Sequence, residues 1–455
     1  MASNTDQEAM VDYHLDVAFR DQHWRKYQQR LQRSRRKRKA LERAWWLAAL
    51  LISVLLGVGV FKAALSNGWF DGLSRIADCS EHEGRAFGLF DEKTLRDLID
   101  PNAVSQNLDG RFAFTYRGEK FFMVSTLEPA LQHYMQKKIG AAHSPAVGFV
   151  AMDPVSGRVF SMVGCNNRGN AGDICLHSTF PAASVFKIVS ATAAIERCGL
   201  SAGSTLTYNG RGHTLYRKQL TAGTNRYTNR ISLRDCFARS INPAFGKLGI
   251  FFLKKDLLEE YAKRFGFNQA IDGELPVERS RFSVDNDPYH WAEVACGFNR
   301  RTRISPLHGA IIAAAVVNGG WFVEPRIIER ITDRHSQAVY SGREPESRRV
   351  MSVRTSREMM RLMAATVTRG TARRAFKGYR RDRVLSKLFL GGKTGSIKND
   401  DDRWLYDWFV GYGAQKKGAK KLAVAVLVVH DKLLRARAQE YARLALRYYF
   451  AHCAS

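Results

Sequence analysis

Three short segments of this chain carry side chains that could share one reaction. Ser184-Val185-Phe186-Lys187 sets a hydroxyl and an amine three residues apart, which on a helix is one face, so Ser184 Oγ and Lys187 Nζ can meet. A serine hydroxyl is a poor nucleophile at neutral pH and needs a base. A lysine serves only if desolvation and a nearby cation leave it uncharged. A helix opening at the serine would also aim its free N–H groups at the reacting centre. Ser240-Ile241-Asn242 adds a hydroxyl that can relay a proton and an amide that can hold a substrate backbone group. Lys393-Thr394-Gly395-Ser396, after Gly391-Gly392, puts a lysine beside two hydroxyls, a carboxylate-binding arrangement. Gly395 would let a ligand backbone approach a strand closely. Singly, each segment is weak. Ser34-Arg35-Arg36-Lys37 repeats the first spacing inside a run of basic residues, and Asn-Pro after a helix is an ordinary stop. Ser184 differs because it follows Phe180-Pro181-Ala182-Ala183 and opens an apolar stretch running to Cys198, where a lysine stays dry.

The elements that must position these groups follow from periodicity. Phe121 to Leu127 predicts a strand and Glu128 to Ile139 a helix. Ala146 to Met152 and Arg158 to Val163 flank Asp153-Pro154-Val155-Ser156-Gly157, so a hairpin is expected. A buried helix is predicted over Ser184 to Cys198, and another from Pro306 to Asn318-Gly319-Gly320. Trp408 to Gly413 and Lys421 to Val429 predict adjacent core strands, the first pairing with an edge-accessible strand that carries Lys393. Arg437 to Phe450 predicts an amphipathic closing helix. Strands at both ends of the segment with helices between imply one large α/β or α+β domain.

Ahead of that domain, residues 44–61 are an uncharged run of 18, about 27 Å as a helix and enough to cross a bilayer core. Between Arg20 and Arg43 stand eleven basic and two acidic residues, which keeps the N-terminus cytoplasmic by the positive-inside rule. The segment before the apolar run is long for a signal peptide. Ala63-Ala64-Leu65 also lacks a cleavage spacing, so a retained single-pass anchor in the cytoplasmic membrane is expected, with everything after Leu65 outside. The expected organisation is a basic tail (1–43), an anchor (44–65), a short spacer or pedestal (66–120) and the main domain (121–455).

The 455 residues are 45% apolar and 25% charged, which excludes a disordered or collagen-like chain. The net charge of +28 implies an anionic partner or surface. The basic tail has little aromatic interleaving and abuts a membrane span, so lipid head groups account for it and nucleic acid does not. Further basic clusters, Arg300-Arg301-Thr302-Arg303 and Lys416 to Lys421, suit an anionic polymer or membrane nearby, or are solvated faces. Seven cysteines are too few for a disulfide scaffold, and with 12 histidines they form no metal-ligand cluster. Cys165 and Cys175 flank a polar loop and are either a disulfide or two free thiols. Cys198, Cys236 and Cys296 are expected as buried packing residues. His213, His290 and His308 are expected as structural or surface residues, Trp408 as core, and Trp404 is a candidate for the cleft rim.

In the order SxxK, SxN, KTG, the three segments resemble the penicillin-binding protein transpeptidases and serine β-lactamases. The resemblance extends over about residues 121–450. It includes Val124 to Gln132, Cys296-Gly297 through Leu307, Asn318-Gly319-Gly320 and Gly370-Thr371-Ala372. It implies a penicillin-binding/β-lactamase-like fold, with a central antiparallel five-stranded sheet flanked by helices, and a monofunctional class B-like peptidoglycan D,D-transpeptidase needing no cofactor or metal. On matched positions it implies that Ser184 attacks the carbonyl between two terminal D-alanines of a stem peptide and that Lys187 takes its proton. Ser240 with Lys393 would pass a proton to the leaving D-alanine. Asn242 would hold the peptide amide, and Thr394, Gly395 and Ser396 the terminal carboxylate. The Ser184 and Ser396 N–H groups would form the oxyanion hole. Stem peptides and β-lactams are the implied ligands; a glycan polymerase and division or elongation proteins are the implied partners. Ala182-Ala183 stands where the family often has Pro-Gly. A β-lactamase or β-lactam sensor, a D,D-carboxypeptidase and a non-catalytic cell-wall scaffold remain alternatives.

Overall fold

A computed structural model describes residues 89–106, 109–167, 174–431 and 434–454. The expected tail, anchor and first part of the spacer lie outside the described residues.

Two short helices, Glu92–Leu98 and Pro101–Gln106, precede a hairpin of β1 (Arg111–Tyr116) and β2 (Glu119–Ser125). Helix α1 (Pro129–Gly140) leads to a second hairpin, β3 (Ala146–Met152) and β4 (Val159–Asn166). Its turn is held by Asp153 Oδ1, which accepts from the Val155 and Ser156 N–H groups at 2.7 and 2.8 Å. Helices α2 (Lys187–Arg197), α3 (Leu233–Ala238), α4 (Asn242–Leu248), α5 (Pro288–Cys296) and α6 (Pro306–Val317) follow. Strands β5 (Ile328–Thr332) and β6 (Ala338–Ser341) come next, then helix α7 (Val353–Thr368). Three long strands, β7 (Leu388–Lys398), β8 (Leu405–Gln415) and β9 (Lys421–His430), and helix α8 (Ala438–His452) close the chain.

The main sheet has the order β7-β8-β9-β3-β4 and is antiparallel throughout. The early hairpin and the three late strands join along β9 and β3, where Ala423 pairs with Met152 and Val429 with Ala146. Both faces of this sheet are covered, so β3 and β9 are apolar at nearly every position rather than at every second one. Successive residues feed opposite layers. Ala423, Ala425, Leu427 and Val429 of β9 enter the core shared with α6 and α2, whereas Leu422, Val424, Val426 and Val428 enter the core shared with α1 and α8. Helix α6 is buried on all sides and meets the sheet at Gly309. A Cβ there would stand 3.1 Å from Val410 Cγ2 and 3.2 Å from Ala425 Cβ.

A second antiparallel sheet has the order β1-β2-β5-β6. Met123 of β2 pairs with Ile331 of β5. The boundary expected at residue 121 therefore falls inside a hairpin that shares its sheet with residues from far along the chain. The helix expected over Ser184 to Cys198 is also altered at its start. Ala183–Phe186 form a 3₁₀ turn, and the α-helix begins at Lys187.

Gly309→Leu, which forces side-chain volume between α6 and the sheet, should destabilise the domain by about 1–3 kcal/mol in urea unfolding. A neutral result would mean that the interface is not close-packed there.

Candidate active site

The first element of the site is the 3₁₀ turn. With three residues per turn, positions i and i+3 eclipse, so Ser184 sits directly over Lys187. Ala183 enters this turn at φ +48°, a left-handed conformation unusual for alanine. At this position, where the resemblance pointed to glycine, the backbone keeps the glycine-like shape.

The second element is the link between α3 and α4. The Ser240 N–H donates to Phe237 O at 3.1 Å and the Ile241 N–H to Cys236 O at 3.0 Å, the paired bonds of a Schellman cap. Ser240 holds the left-handed position of that cap at φ +57°, where glycine is the usual occupant. Asn242 then opens α4, with its N–H donating to Gly212 O at 2.6 Å and its Nδ2 donating to His213 O at 3.3 Å. The cap turns the hydroxyl and the amide toward one hollow.

A second Schellman cap ends α5, with Gly297 left-handed at φ +67° and bonds from Gly297 N to Val294 O and from Phe298 N to Glu293 O. A Cβ on Gly297 would lie 1.9 Å from Ala183 O, so this position holds the entry turn by backbone contact. The cap also leaves the Cys296 carbonyl without a helical donor. Lys187 Nζ fills that role at 2.5 Å.

Lys187 is fully buried. Its Nζ lies 2.9 Å from Ser184 Oγ and 2.8 Å from Asn242 Oδ1. Desolvation lowers its pKa to about 8. The neighbouring thiols do not oppose this as anions, because burial pushes Cys236 up to about 12 and Cys296 to about 11. A neutral amine has two N–H bonds and one lone pair. The two carbonyl oxygens take the two N–H bonds, and the lone pair is left for the Ser184 proton.

The third element is β7, an edge strand of the main sheet. Lys393 is also fully buried, and its Nζ donates to Ser240 Oγ at 3.0 Å and to Thr394 O at 2.7 Å. Burial first, and the charge of Lys187 second, hold its pKa well below the usual lysine range. Thr394 Oγ1 is 2.5 Å from Thr371 Oγ1. Gly395 faces the entry turn, and a Cβ on it would stand 3.3 Å from the Ser184 nitrogen. Ser396 Oγ donates to Asp407 Oδ1 at 3.1 Å.

Ser184, Ser240, Asn242, Thr394 and Ser396 line one cleft of about 740 Å³, with the two lysines behind it. The residues expected to act together are thus brought together. Thr371, Gly297, the Cys296 carbonyl, Asp407 and Arg437 had been given no role from the sequence. Asp407 was the most visible of them, as a lone carboxylate in the apolar run Tyr406 to Tyr412. His213 lines the cleft, whereas His308 is buried between Ser280 Oγ and Phe265 O at 2.5 and 2.6 Å. His290 is buried and accepts from the Asp285 N–H at 3.2 Å. Trp408 is core and its Nε1 donates to Pro181 O at 2.9 Å. Trp404 is half-buried against the core instead of on the rim. Cys236 and Cys296 are buried as expected, but Cys198 is only half-buried; Cys165 and Cys175 are free thiols.

Residues 147–447 match the penicillin-binding protein transpeptidase domain family. The chain is 26% identical over 301 residues to stage V sporulation protein D of Bacillus subtilis, covering 62% of this chain and 45% of that protein. It is 23% identical over 317 residues to peptidoglycan D,D-transpeptidase PbpA of Mycobacterium tuberculosis, covering 67% of this chain and 61% of that one. The chain therefore spans about half the length of these curated relatives. Among solved structures it resembles the D,D-transpeptidase domain of a peptidoglycan glycosyltransferase from Eggerthella lenta, with a TM-score of 0.60 at 20% identity over 72% of this chain and 82% of that one. It also resembles penicillin-binding protein A from M. tuberculosis in an imipenem acyl-enzyme complex, with a TM-score of 0.58 at 21% identity over 72% and 79%. The likeness to these structures is one of fold.

Ala183→Gly relieves the left-handed strain at the entry turn, at the cost of a more flexible unfolded chain. The expected net effect is a gain of about 0.5–1 kcal/mol in urea unfolding. A loss of stability would show that the turn is unstrained.

Proposed function

Because this chain belongs to the penicillin-binding protein transpeptidase family, we propose that it is a peptidoglycan D,D-transpeptidase that works through an acyl-enzyme on Ser184. The observation that carries this reading is the desolvated Lys187 amine, whose lone pair is left for the serine hydroxyl.

The uncharged amine takes the Ser184 proton as Oγ attacks the carbonyl between the last two D-alanines of a stem peptide. The oxyanion that forms lies between the N–H groups of Ser184 and Ser396, brought close by the small Gly395. Asn242 holds the peptide amide, and its Oδ1 keeps Lys187 oriented. Ser240, hydrogen-bonded to Lys393, delivers a proton to the departing D-alanine nitrogen. The C–N bond breaks, D-alanine leaves, and the acyl group stays on Ser184. The amine of a neighbouring stem peptide then attacks the ester, its released proton restoring Ser240 while Lys187 returns to Ser184 the proton it took, and the cross-link closes. A β-lactam enters by the same attack, but its leaving nitrogen stays tethered in the adduct.

Glu440 lines the cleft, yet it accepts the Arg437 N–H at 3.1 Å as a helix cap. That assignment favours a long-lived adduct over rapid hydrolysis. Residues 44–61 and the basic residues before them support a single-pass anchor in the cytoplasmic membrane, N-terminus inside, with this domain outside. There a glycan polymerase would supply the strands to be linked.

Full-length protein in detergent should form a stable adduct with a fluorescent penicillin, mapped to the Ser184 peptide and absent in Ser184→Ala. Lys187→Ala should slow acylation by a factor of about 100–10,000. Since the base must be unprotonated, the acylation rate should rise about tenfold per pH unit below about pH 8 and level off above it. Rapid turnover of the adduct would favour a β-lactamase. An adduct on another residue would remove the basis of the reading.

A further inference from the structure

The basic run from Lys416 to Lys421 has no part in the chemistry above, and the fold joins it to a second basic segment. Where β8 ends, the Lys416 N–H donates to Lys387 O at 2.9 Å and its Nζ to Ser386 O at 2.8 Å. Those bonds tie the run to the turn that precedes β7. Arg383, Lys387, Lys416 and Lys417 thereby line one groove of about 480 Å³. All four are exposed, and none is ion-paired among the described residues. Asp382, the carboxylate of that turn, is already taken. Its Oδ1 accepts from the Val384 and Leu385 N–H groups at 2.9 and 3.0 Å, and its Oδ2 from Arg447 Nε at 2.9 Å.

Like charges gathered around one hollow repel each other, an arrangement that an anion seated among them relieves. The groove also has apolar lining in Leu388 and Phe450. Phe389, the next residue on the edge strand, is 53% exposed. The other basic cluster differs. Arg300 Nε donates to Lys398 O at 2.8 Å and pairs with Asp400 at 3.3 Å, and Arg303 Nε donates to Arg300 O at 3.2 Å. There, part of the charge is met from within the protein.

We propose that this groove receives the phosphate head groups of anionic lipids, and so gives the domain a second contact with the membrane besides the N-terminal anchor. The inference rests on the anchor reading and not on the chemistry at Ser184. A soluble phosphate polymer would satisfy the four cations but leave the apolar lining and Phe389 in water, whereas a bilayer surface meets both kinds of group. Leu388 and Ser396 are eight residues apart on β7, roughly 26 Å of strand. A docked groove therefore holds the catalytic cleft within about that distance of the head groups.

The test places full-length protein in nanodiscs of phosphatidylcholine alone or with added phosphatidylglycerol, and reads lysine acetylation by peptide mass spectrometry. Each cation near an anionic surface is worth roughly a fivefold change in binding, so Lys417 should react at least about tenfold more slowly in the anionic discs. Salt at about 1 M, which shortens the screening length to about 3 Å, should erase the difference. Arg383→Glu with Lys387→Glu should return Lys417 to its rate in neutral discs, with the urea unfolding midpoint unchanged. Lys398, beside the Arg300 cluster at the other end of β7, should react alike in both discs. Equal Lys417 rates in the two discs, or protection of Lys398 in place of Lys417, would overturn the proposal and leave the anchor standing. Polyphosphate that protects Lys417 in neutral discs as well as phosphatidylglycerol does would assign the groove to a soluble polymer and overturn it too. A chain that enters neither disc would overturn the anchor and this contact together. Should the double variant not fold, Lys417→Glu decides with Lys387 as the reporter: undiminished protection overturns the proposal, and lost protection upholds it.

Discussion

The burial of the Lys187 amine is the constraint on which the site depends. Transferring an ammonium from water to an apolar interior is costly, so a buried lysine keeps its charge only if a carboxylate compensates it. Here the partners are neutral: a hydroxyl, an amide oxygen and a backbone carbonyl. The two nearby ionisable groups are thiols held in their neutral form. Phe245 adds a ring face 5.4 Å from Nζ. A carboxylate at Cys236 or Cys296 would hold Lys187 protonated and leave Ser184 without a base. The second amine, Lys393, acts in the same direction, because two cations in one dry hollow disfavour each other. The apolar helices around α2 thus set the chemistry as well as the packing.

Much of this was legible in the residue order. Strands β3, β8 and β9 stand out because a sheet covered on both faces is apolar without alternation, and the turn at Asp153 announces a hairpin. Ser184, Lys187, Ser240, Asn242 and Lys393 were identifiable from types and spacing. What escaped was geometry fixed by tertiary contact. Nothing local to Ala183 announces a left-handed residue; that shape is imposed by Gly297 pressing on its carbonyl. Nor does the sequence around residue 121 show that β2 has partners on both sides, one of which, β5, is roughly 200 residues away. Asp407 and Arg437, 30 residues apart, belong to different elements and meet only once α8 packs on the sheet.

Strain in the fold is placed where chemistry needs it. Left-handed residues other than glycine cost roughly 1–2 kcal/mol each, and two of them, Ala183 and Ser240, belong to the site. A glycine at 240 would close the same Schellman cap without strain, but it would bring no hydroxyl. The cap thus gives up some helix stability to fix the Ser240 oxygen against Lys393. At the equivalent place in the α5 cap no side chain is needed, and glycine is present at 297, close enough to set the entry turn. The two caps therefore work as a pair. One contributes a functional group and the other a contact surface.

Asp407 ties this catalytic face to the far layer of the protein. A carboxylate fully buried in a sheet strand is tolerated only if its oxygens are satisfied. It takes two bonds from Arg437, one from the Ala438 N–H at 3.0 Å and one from Ser396, with His430 Nε2 standing 3.6 Å off. Burial alone would raise its pKa, but His430 first, then the Arg437 guanidinium and the Ala438 N–H, outweigh it and keep Asp407 below the usual carboxylate range. Replacing Asp407 alone would strand these donors and destabilise the fold, whereas replacing the Asp407–Arg437 pair together by apolar residues of similar volume is often neutral or stabilising. Stability therefore does not explain the carboxylate. Its four donors come from β7 and from the start of α8, so it fixes the height of that helix over the strand bearing Lys393, Thr394 and Gly395. The cleft wall is in this way built from β7 and from the start of α8, and a charge in the core sets their register.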